Sequence, residues 1–143
     1  MDEIFGTEFE MSLRLPLLLH NRTMTEDRLC AIDYIITYAK DFQFATVNLH
    51  GDGYFRKCEY AARQLLASRA IKRLVLKGFL AVHTEPTGFS YSLSDTGAAF
   101  VSKFQSIYAL KYMKLAEAIT PQVSNLSDHD LIEMIYKHGG TNE

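Results

Sequence analysis

Histidines, cysteines and neighbouring carboxylates are the side chains in this chain that could support catalysis or hold a metal. His20, His50, His83, His129 and His138 show no HExxH spacing and no other metal-ligand pattern. Asp128-His129-Asp130 sets two carboxylates beside an imidazole, but adjacent positions on a helix point apart and do not converge on one proton. Asn48-Leu49-His50-Gly51-Asp52-Gly53 has two glycines two apart, which suggests backbone angles that other residues resist. It is not a phosphate loop, because no GxxxxGK[ST] follows and no helix opens directly after the second glycine. His50 and Asp52 could serve a partner; the plainer reading is a structured loop carrying Asn48, His50 and Gly51. Cys30 and Cys58 form no CxxC pair and are too few for a disulfide scaffold. Each falls in a predicted helix, where a reduced thiol packs as a small hydrophobe. The expectation is a protein with no catalytic residue, no metal site, no cofactor and no small-molecule ligand.

The remaining chemistry is charge. Formal net charge is −2, yet between Arg56 and Lys77 stand seven bases, Arg56, Lys57, Arg63, Arg69, Lys72, Arg73 and Lys77, against the single acid Glu59. The N-terminal residues Asp2, Glu3, Glu8 and Glu10 and the tail residues Asp128, Asp130 and Glu133 are acidic. Arg69, Arg73 and Lys77 lie four apart and share one helix face, with Lys72 next to it. Such a stripe suits DNA phosphate or an acidic protein partner, although a helical charge stripe is more often only a solvated face.

The elements that must carry these side chains are mostly helices. Thr23-Met24-Thr25-Glu26 has the form of a capping box with Thr23 as N-cap. Leu29, Ile32, Ile36 and Ala39 then recur at helical spacing while Asp33, Thr37 and Lys40 lie elsewhere on the wheel, which predicts an amphipathic helix over Met24–Lys40. Ser12–His20 before it reads as a strand or a short helix, Pro16 opposing a long one. Lys57–Lys77 contains no glycine or proline; Ala62, Leu66, Ala70 and Leu74 form its stripe, widened by Leu65, Ile71 and Val75. Ser68 could cap a second helix, so the segment is one helix or two. Gly78 ends it as a C-cap glycine.

Phe79–His83 and Gly88–Leu93 then read as a strand pair. Phe89, Tyr91 and Leu93 alternate with Ser90 and Ser92, and Thr84–Gly88 supplies the turn. Ser94 or Asp95 caps a helix that runs toward Ile119, with a bend near Ser106, and Pro121 stops it. A weaker capping box at Ser127–Asp130 opens a tail helix that Gly139 ends. No internal repeat, low-complexity tract or linker interrupts the chain. One domain over 1–143 is expected, with its core at about 24–119 and a helical tail at 122–143.

Hydrophobic residues make up 48% of the chain and charged residues 22%, an ordinary globular balance. No apolar run approaches the ~20 residues that span a bilayer: Arg14 and Pro16 interrupt Leu13–Leu19, and the acidic start is the reverse of a signal peptide. The protein is expected in the cytoplasm and away from the membrane.

Two adjacent helical segments, a small hairpin, and a capped helix beginning Leu93-Ser94-Asp95-Thr96-Gly97 make the layout of a winged helix-turn-helix. The fold class expected is mainly α (α+β), a winged helix with a small β-hairpin wing and additional N- and C-terminal helices. Winged helices serve both DNA reading and protein docking. DNA reading asks for a basic helix in the major groove and a wing on phosphate. Arg69, Lys72, Arg73 and Lys77 meet the first demand; the wing tip offers Glu85 and no base. A transcription regulator and an adaptor with no nucleic-acid role are the competing readings. Tyr108 and Tyr112, with Met113, stand at helical spacing: core packing is the default, a docking face the alternative.

A narrower resemblance follows from an ordered series of segments. Leu17-Leu18-Leu19, Asp33-Tyr34 and Asn48-Leu49-His50-Gly51 form its first half. Glu59-Tyr60-Ala61-Ala62-Arg63, Leu74-Val75-Leu76-Lys77-Gly78, Gly88-Phe89-Ser90-Tyr91 and Ser106-Ile107-Tyr108-Ala109 form its second. Over about residues 12–120 the chain resembles the small middle component of ABC three-component systems, the bacterial conflict systems that include the Lamassu type. The resemblance implies a non-catalytic subunit in defence against phage or plasmids. Its implied partners are an SMC-like ABC ATPase with a long coiled coil and a separate effector, often a nuclease, with DNA met through the complex. The middle component would bridge or brace the ATPase and hold the effector inactive. The family pattern marks Asn48, His50, Gly51, Tyr60, Arg63, Gly78, Tyr91 and Tyr108, most of them for structure. Arg63 and Tyr108, if exposed, are the contact candidates. The tail after Pro121 falls outside the resemblance.

Overall fold

The computed structural model describes residues 8–45 and 57–141, with side chains placed from 8–45 and 59–137. It is mostly helical with one small antiparallel sheet. In chain order the elements are α1 (Glu8–Leu18), β1 (Met24–Thr25), α2 (Glu26–Thr37), α3 (Lys57–Leu76), β2 (Leu80–Glu85), β3 (Gly88–Leu93), α4 (Asp95–Val101), α5 (Ile107–Ile119), a 3-10 turn (Thr120–Val123) and α6 (Asp128–Thr141). The α+β expectation therefore holds. No helix among the described residues is long and apolar enough to cross a membrane.

Helix α2 is the centre of the molecule. Every residue from Leu29 to Thr37 is buried, Asp33 and Thr37 included, because α1, α3, α5 and α6 all pack against it. The two-sided pattern expected for this segment is thus replaced by burial all round. The start also moves. Met24 and Thr25 pair with Tyr91 and Ser90 of β3, so Thr25 rather than Thr23 is the N-cap, its hydroxyl accepting the Arg28 N–H at 3.1 Å. The sheet has the order β1-β3-β2. A two-residue strand that buries Met24 leaves too little pattern to be read from sequence.

Of the expected Ser12–His20 segment, residues 12–18 form the second half of α1, with Pro16 inside its last turn, and Leu19 and His20 lie in the turn that follows. The proline forfeits one backbone donor two residues before the helix ends. Lys57–Leu76 is one helix of 20 residues; Ser68 caps nothing. Its buried line is Tyr60, Arg63, Ala67, Ala70, Ile71 and Leu74, so Ala62 and Leu65 of the expected stripe face outward and Leu66 is half-buried. The stripe read from apolar spacing is rotated from the buried line because the charged Arg63 is part of that line.

The end of α3 and the start of α4 are built against each other. Gly78 has φ +81°, the Phe79 N–H bonds the Leu74 carbonyl at 2.9 Å and the Gly78 N–H bonds the Val75 carbonyl at 3.0 Å. That is the paired closure of a glycine C-cap. The Ser94 N–H then reaches the Phe79 carbonyl at 3.1 Å, and the Ser94 hydroxyl donates to the Gly78 carbonyl at 2.5 Å. The same hydroxyl accepts the Gly97 N–H at 3.0 Å, capping α4. Between these turns run β2 and β3, in register from Leu80↔Leu93 to Glu85↔Gly88.

The bend expected near Ser106 is a full break: α4 ends at Val101 and Ser106 caps α5 afresh, its hydroxyl accepting the Ala109 N–H at 3.1 Å. Beyond Ile119 the chain makes a 3-10 turn through Pro121. In α6, Ser127 accepts the Asp130 N–H at 3.0 Å, and the helix continues through Gly139 to Thr141.

Candidate interaction surface

The largest cluster of polar chemistry is interior. Arg14 of α1 grips Asp33 of α2 with two bonds, Nε to Oδ1 at 2.8 Å and Nη2 to Oδ2 at 3.1 Å. The Tyr112 hydroxyl of α5 donates to the same Oδ1 at 2.6 Å. From α3, Arg63 sets Nη1 3.6 Å from Asp33 Oδ2 and donates to Thr37 Oγ1 at 2.8 Å. Arg63 Nη2 lies 3.5 Å from Glu59, which accepts the Tyr38 hydroxyl at 2.5 Å. The guanidinium also stands over the Tyr34 ring, 4.9 Å from its centroid. Glu10 flanks Arg14 at 3.4 Å. Four helices are thus joined through one carboxylate.

Burial by itself would push the Asp33 carboxyl upward; the charge and hydrogen bonds of Arg14, then Arg63 and the Tyr112 hydroxyl, outweigh it and hold Asp33 below the usual carboxylate range. Tyr112 and Tyr108 are both pushed upward, burial being the largest cause in each. Cys30, on the same helix as Asp33, is buried, and desolvation followed by the Asp33 charge pushes its thiol up to about 12, so it sits as an un-ionised hydrophobe.

These placements decide how the sequence candidates divide. Arg63 is 4% exposed and Tyr112 is wholly buried; both belong to the interior network, and the exposure on which Arg63 depended as a contact residue is absent. Tyr108 is half-buried. Asn48, His50 and Gly51 lie outside the described residues, as does Asp52. His129 stands 3.8 Å from Asp130, both exposed, while Asp128 turns away to accept the Thr25 hydroxyl at 2.5 Å and the Arg28 guanidinium at 3.0 Å. The described residues hold no group of three or more His, Cys, Asp or Glu side chains arranged to take a metal.

The exposed features are of another kind. Arg69, Lys72, Arg73 and Lys77 all reach solvent, and Arg73 pairs with Glu8 of α1 at 2.8 Å. On the hairpin, Val82 and Phe89 are exposed, Phe89 at 57%. Thr84 pairs with Phe89 and Val82 with Tyr91, so these residues share one sheet face, buried at its Leu80 base and bare toward the tip. On the other face His83 bonds Ser92 at 2.7 Å and Ser90 donates to Glu85 at 3.2 Å. An open groove of about 360 Å³ lies at the α4–α5 break, lined by Val101, Phe104, Leu110 and Met113 with His20, Ser102 and Gln105; Ile107 and Leu110 are themselves exposed. Exposed apolar side chains gathered on a hairpin and a helix start suit protein contact.

Residues 4–141 match the family model described as ABC-three component (ABC-3C) system Middle Component 2. The chain belongs to that family. No curated protein and no solved structure matched. The match reaches beyond the 12–120 stretch that carried the resemblance in sequence, so the tail helix is part of the middle-component pattern and not an addition peculiar to this chain. The structure gives a reason: Arg28, in the first turn of α2, donates to the carbonyls of Val123 and Leu126 at 2.8 Å each and to Asp128. Leu131 and Ile135 of α6 are wholly buried in the common core. As a middle component of ABC three-component defence systems, the protein has the standing of an accessory subunit.

Proposed function

We propose that this middle component is a non-catalytic accessory subunit of an SMC-like ABC ATPase complex of Lamassu type, acting in antiphage or antiplasmid defence. In this reading it is a winged helix that bridges the ATPase and an effector subunit, a nuclease, and meets DNA only through the complex. The observation that carries it is the family match over residues 4–141. Two features of the molecule support it. The interior side chains Arg14, Asp33, Thr37, Arg63 and Tyr112 are engaged in joining helices to one another. The hairpin, which a DNA-reading winged helix would lay on phosphate, bares Val82 and Phe89 and carries Glu85 near its turn.

The second reading, a DNA-binding transcription regulator, draws on the exposed Arg69, Lys72, Arg73 and Lys77. Affinity purification of the tagged protein from its native host, with mass spectrometry of the eluate, separates the two. A coiled-coil ATPase recovered in stable ratio is the expected result. Recovery of the protein alone as a homodimer that binds a palindromic operator would overturn the subunit reading in favour of the regulator.

A further inference from the structure

The outermost line of α3 runs through Leu65, Arg69, Lys72 and Leu76, with spacings of four, three and four residues. All four are exposed, Leu65 at 55% and Leu76 at 81%, and they lie opposite the buried line of Tyr60, Arg63, Ala67, Ala70, Ile71 and Leu74. At 1.5 Å per residue the line is about 16 Å long, or three helical turns. Alternation of four and three is the spacing on which one helix lies along another. Here the two outer layers of that seam are leucine and the two inner layers are cations. We propose that this line seats an acidic amphipathic helix of a protein partner, a helix with apolar residues at the outer layers and Asp or Glu at the inner two. The proposal rests on the accessory-subunit reading and names the chemistry of its docking surface.

Charge complementarity selects the occupant. Among the described residues, no carboxylate pairs with Arg69 or Lys72, so the inner layers present two cations without a counter-charge. Beside them Arg73 already takes a carboxylate, Glu8 of α1. That pair shows that a carboxylate on a helix can reach this flank. The leucines decide between protein and nucleic acid. A phosphate backbone would answer the two cations, but it offers nothing apolar to Leu65 and Leu76, whose burial is favourable only against hydrocarbon. The exposed Val82 and Phe89 on the hairpin after α3 add further apolar surface and no base.

The test replaces Leu65 or Leu76, one at a time, with the photo-crosslinker p-benzoylphenylalanine in the full-length tagged protein, expressed in its native host. After irradiation, the crosslinked segment is sequenced by mass spectrometry. The expected adduct is a protein helix with acidic residues between apolar ones. An adduct to nucleic acid, to a second copy of this chain or to a segment without acidic residues overturns the proposal, as does the absence of any adduct at both positions. In parallel, R69E/K72E and L65A/L76A are expected to reduce recovery of the crosslinked partner at least tenfold, with far-UV circular dichroism unchanged. R69Q/K72Q, which removes charge without reversing it, covers the case in which the reversal misfolds. Undiminished recovery of an ATPase by all three variants sinks the docking face and leaves the subunit reading standing. If the wild-type chain recovers no ATPase, the subunit reading falls, and the sequence of the adduct still decides the face.

Discussion

Arg14 and Asp33 form a bidentate ion pair in which neither side chain is exposed to solvent, Nε and Nη2 standing 2.8 Å and 3.1 Å from the two carboxylate oxygens. Two ions withdrawn from water are stable only when each answers the other and the remaining lone pairs are filled. Tyr112 and Arg63 fill them from two further helices. The pair is therefore the point at which the packing of α1, α2, α3 and α5 is specified.

Removing one partner should be far worse than removing both. Asp33→Leu takes the bidentate partner from the buried Arg14 guanidinium and leaves it only the longer contact with Glu10 at 3.4 Å, a change that costs about 3 kcal/mol. The Arg14→Met/Asp33→Leu double variant replaces the pair with hydrocarbon and is expected to recover much of that loss. Urea unfolding of the two single variants and the double measures this directly. Single variants that each cost under about 1 kcal/mol would mean that the pair does not organise the core.

The same carboxylate sets an acid limb to stability. Its folded-state pKa is lowered, burial opposing and Arg14 more than compensating, whereas an unfolded aspartate titrates near about 3.9. Its contribution is therefore complete above about pH 4 and is lost as pH falls through the folded value. Stability of the wild type measured between about pH 5 and 2 should fall more steeply than that of Asp33→Asn, which starts lower and has no such group to protonate. Parallel curves would show that Asp33 is not held ionised by its partners.

The local grammar of the chain was readable where one segment determines its own shape. Gly78 after a helix, Ser94 before one, and the alternation from Phe89 to Leu93 each announce a backbone geometry that the structure has. What joins distant segments left no such mark. Asp33 looked like a solvent-facing residue because its partners are 19, 30 and 79 positions away, and a buried charge is intelligible only with its counter-charge in view. In sequence Tyr112 reads as core by default and Arg63 as a contact only if exposed, and no local signal shows that both turn toward Asp33. The outer line of α3 was half visible: Arg69 and Lys72 were seen as cations, but Leu65 was counted into the core stripe, because Tyr60 and Arg63 bring polar atoms into the side that is buried.

The tail should depend on Arg28. Its guanidinium donates to Val123, Leu126 and Asp128, while Thr25 caps α2 and donates to Asp128 at 2.5 Å. Arg28→Ala leaves two carbonyls and a carboxylate without this donor and is expected to cost about 2 kcal/mol. The loss should be uneven: amide hydrogen exchange in α6 should accelerate before that in α2, because the tail loses its tether while the core helix keeps its cap. Uniform acceleration across both helices would show that α6 is not a separately tethered element.

Gly97 is the sharpest single-residue test of how the hairpin is closed. A Cβ at this position would lie 2.0 Å from the Phe79 carbonyl oxygen, 3.0 Å from the Phe79 carbonyl carbon and 3.2 Å from Leu93 Cδ2. The first two atoms are backbone, in the turn that leaves α3, and they are fixed there by the Ser94 N–H on that same oxygen at 3.1 Å. Alanine must therefore push α4 away from the α3 turn, breaking the Ser94 bonds to Phe79 and Gly78 together. Overpacking of this kind costs about 1–3 kcal/mol or more, against at most about 1 kcal/mol in the opposite direction from alanine's better helix propensity, and a backbone contact at 2.0 Å puts the cost at the upper end. Gly88 makes the contrast: nothing lies within 4 Å of its would-be Cβ, and its φ of +136° is the only obstacle to a side chain. Thermal unfolding should place Gly97→Ala below the wild type by several degrees, with increased amide exchange at Leu80 and Leu93 that Gly88→Ala does not reproduce. Wild-type stability in Gly97→Ala would mean that the two turns are not locked to each other.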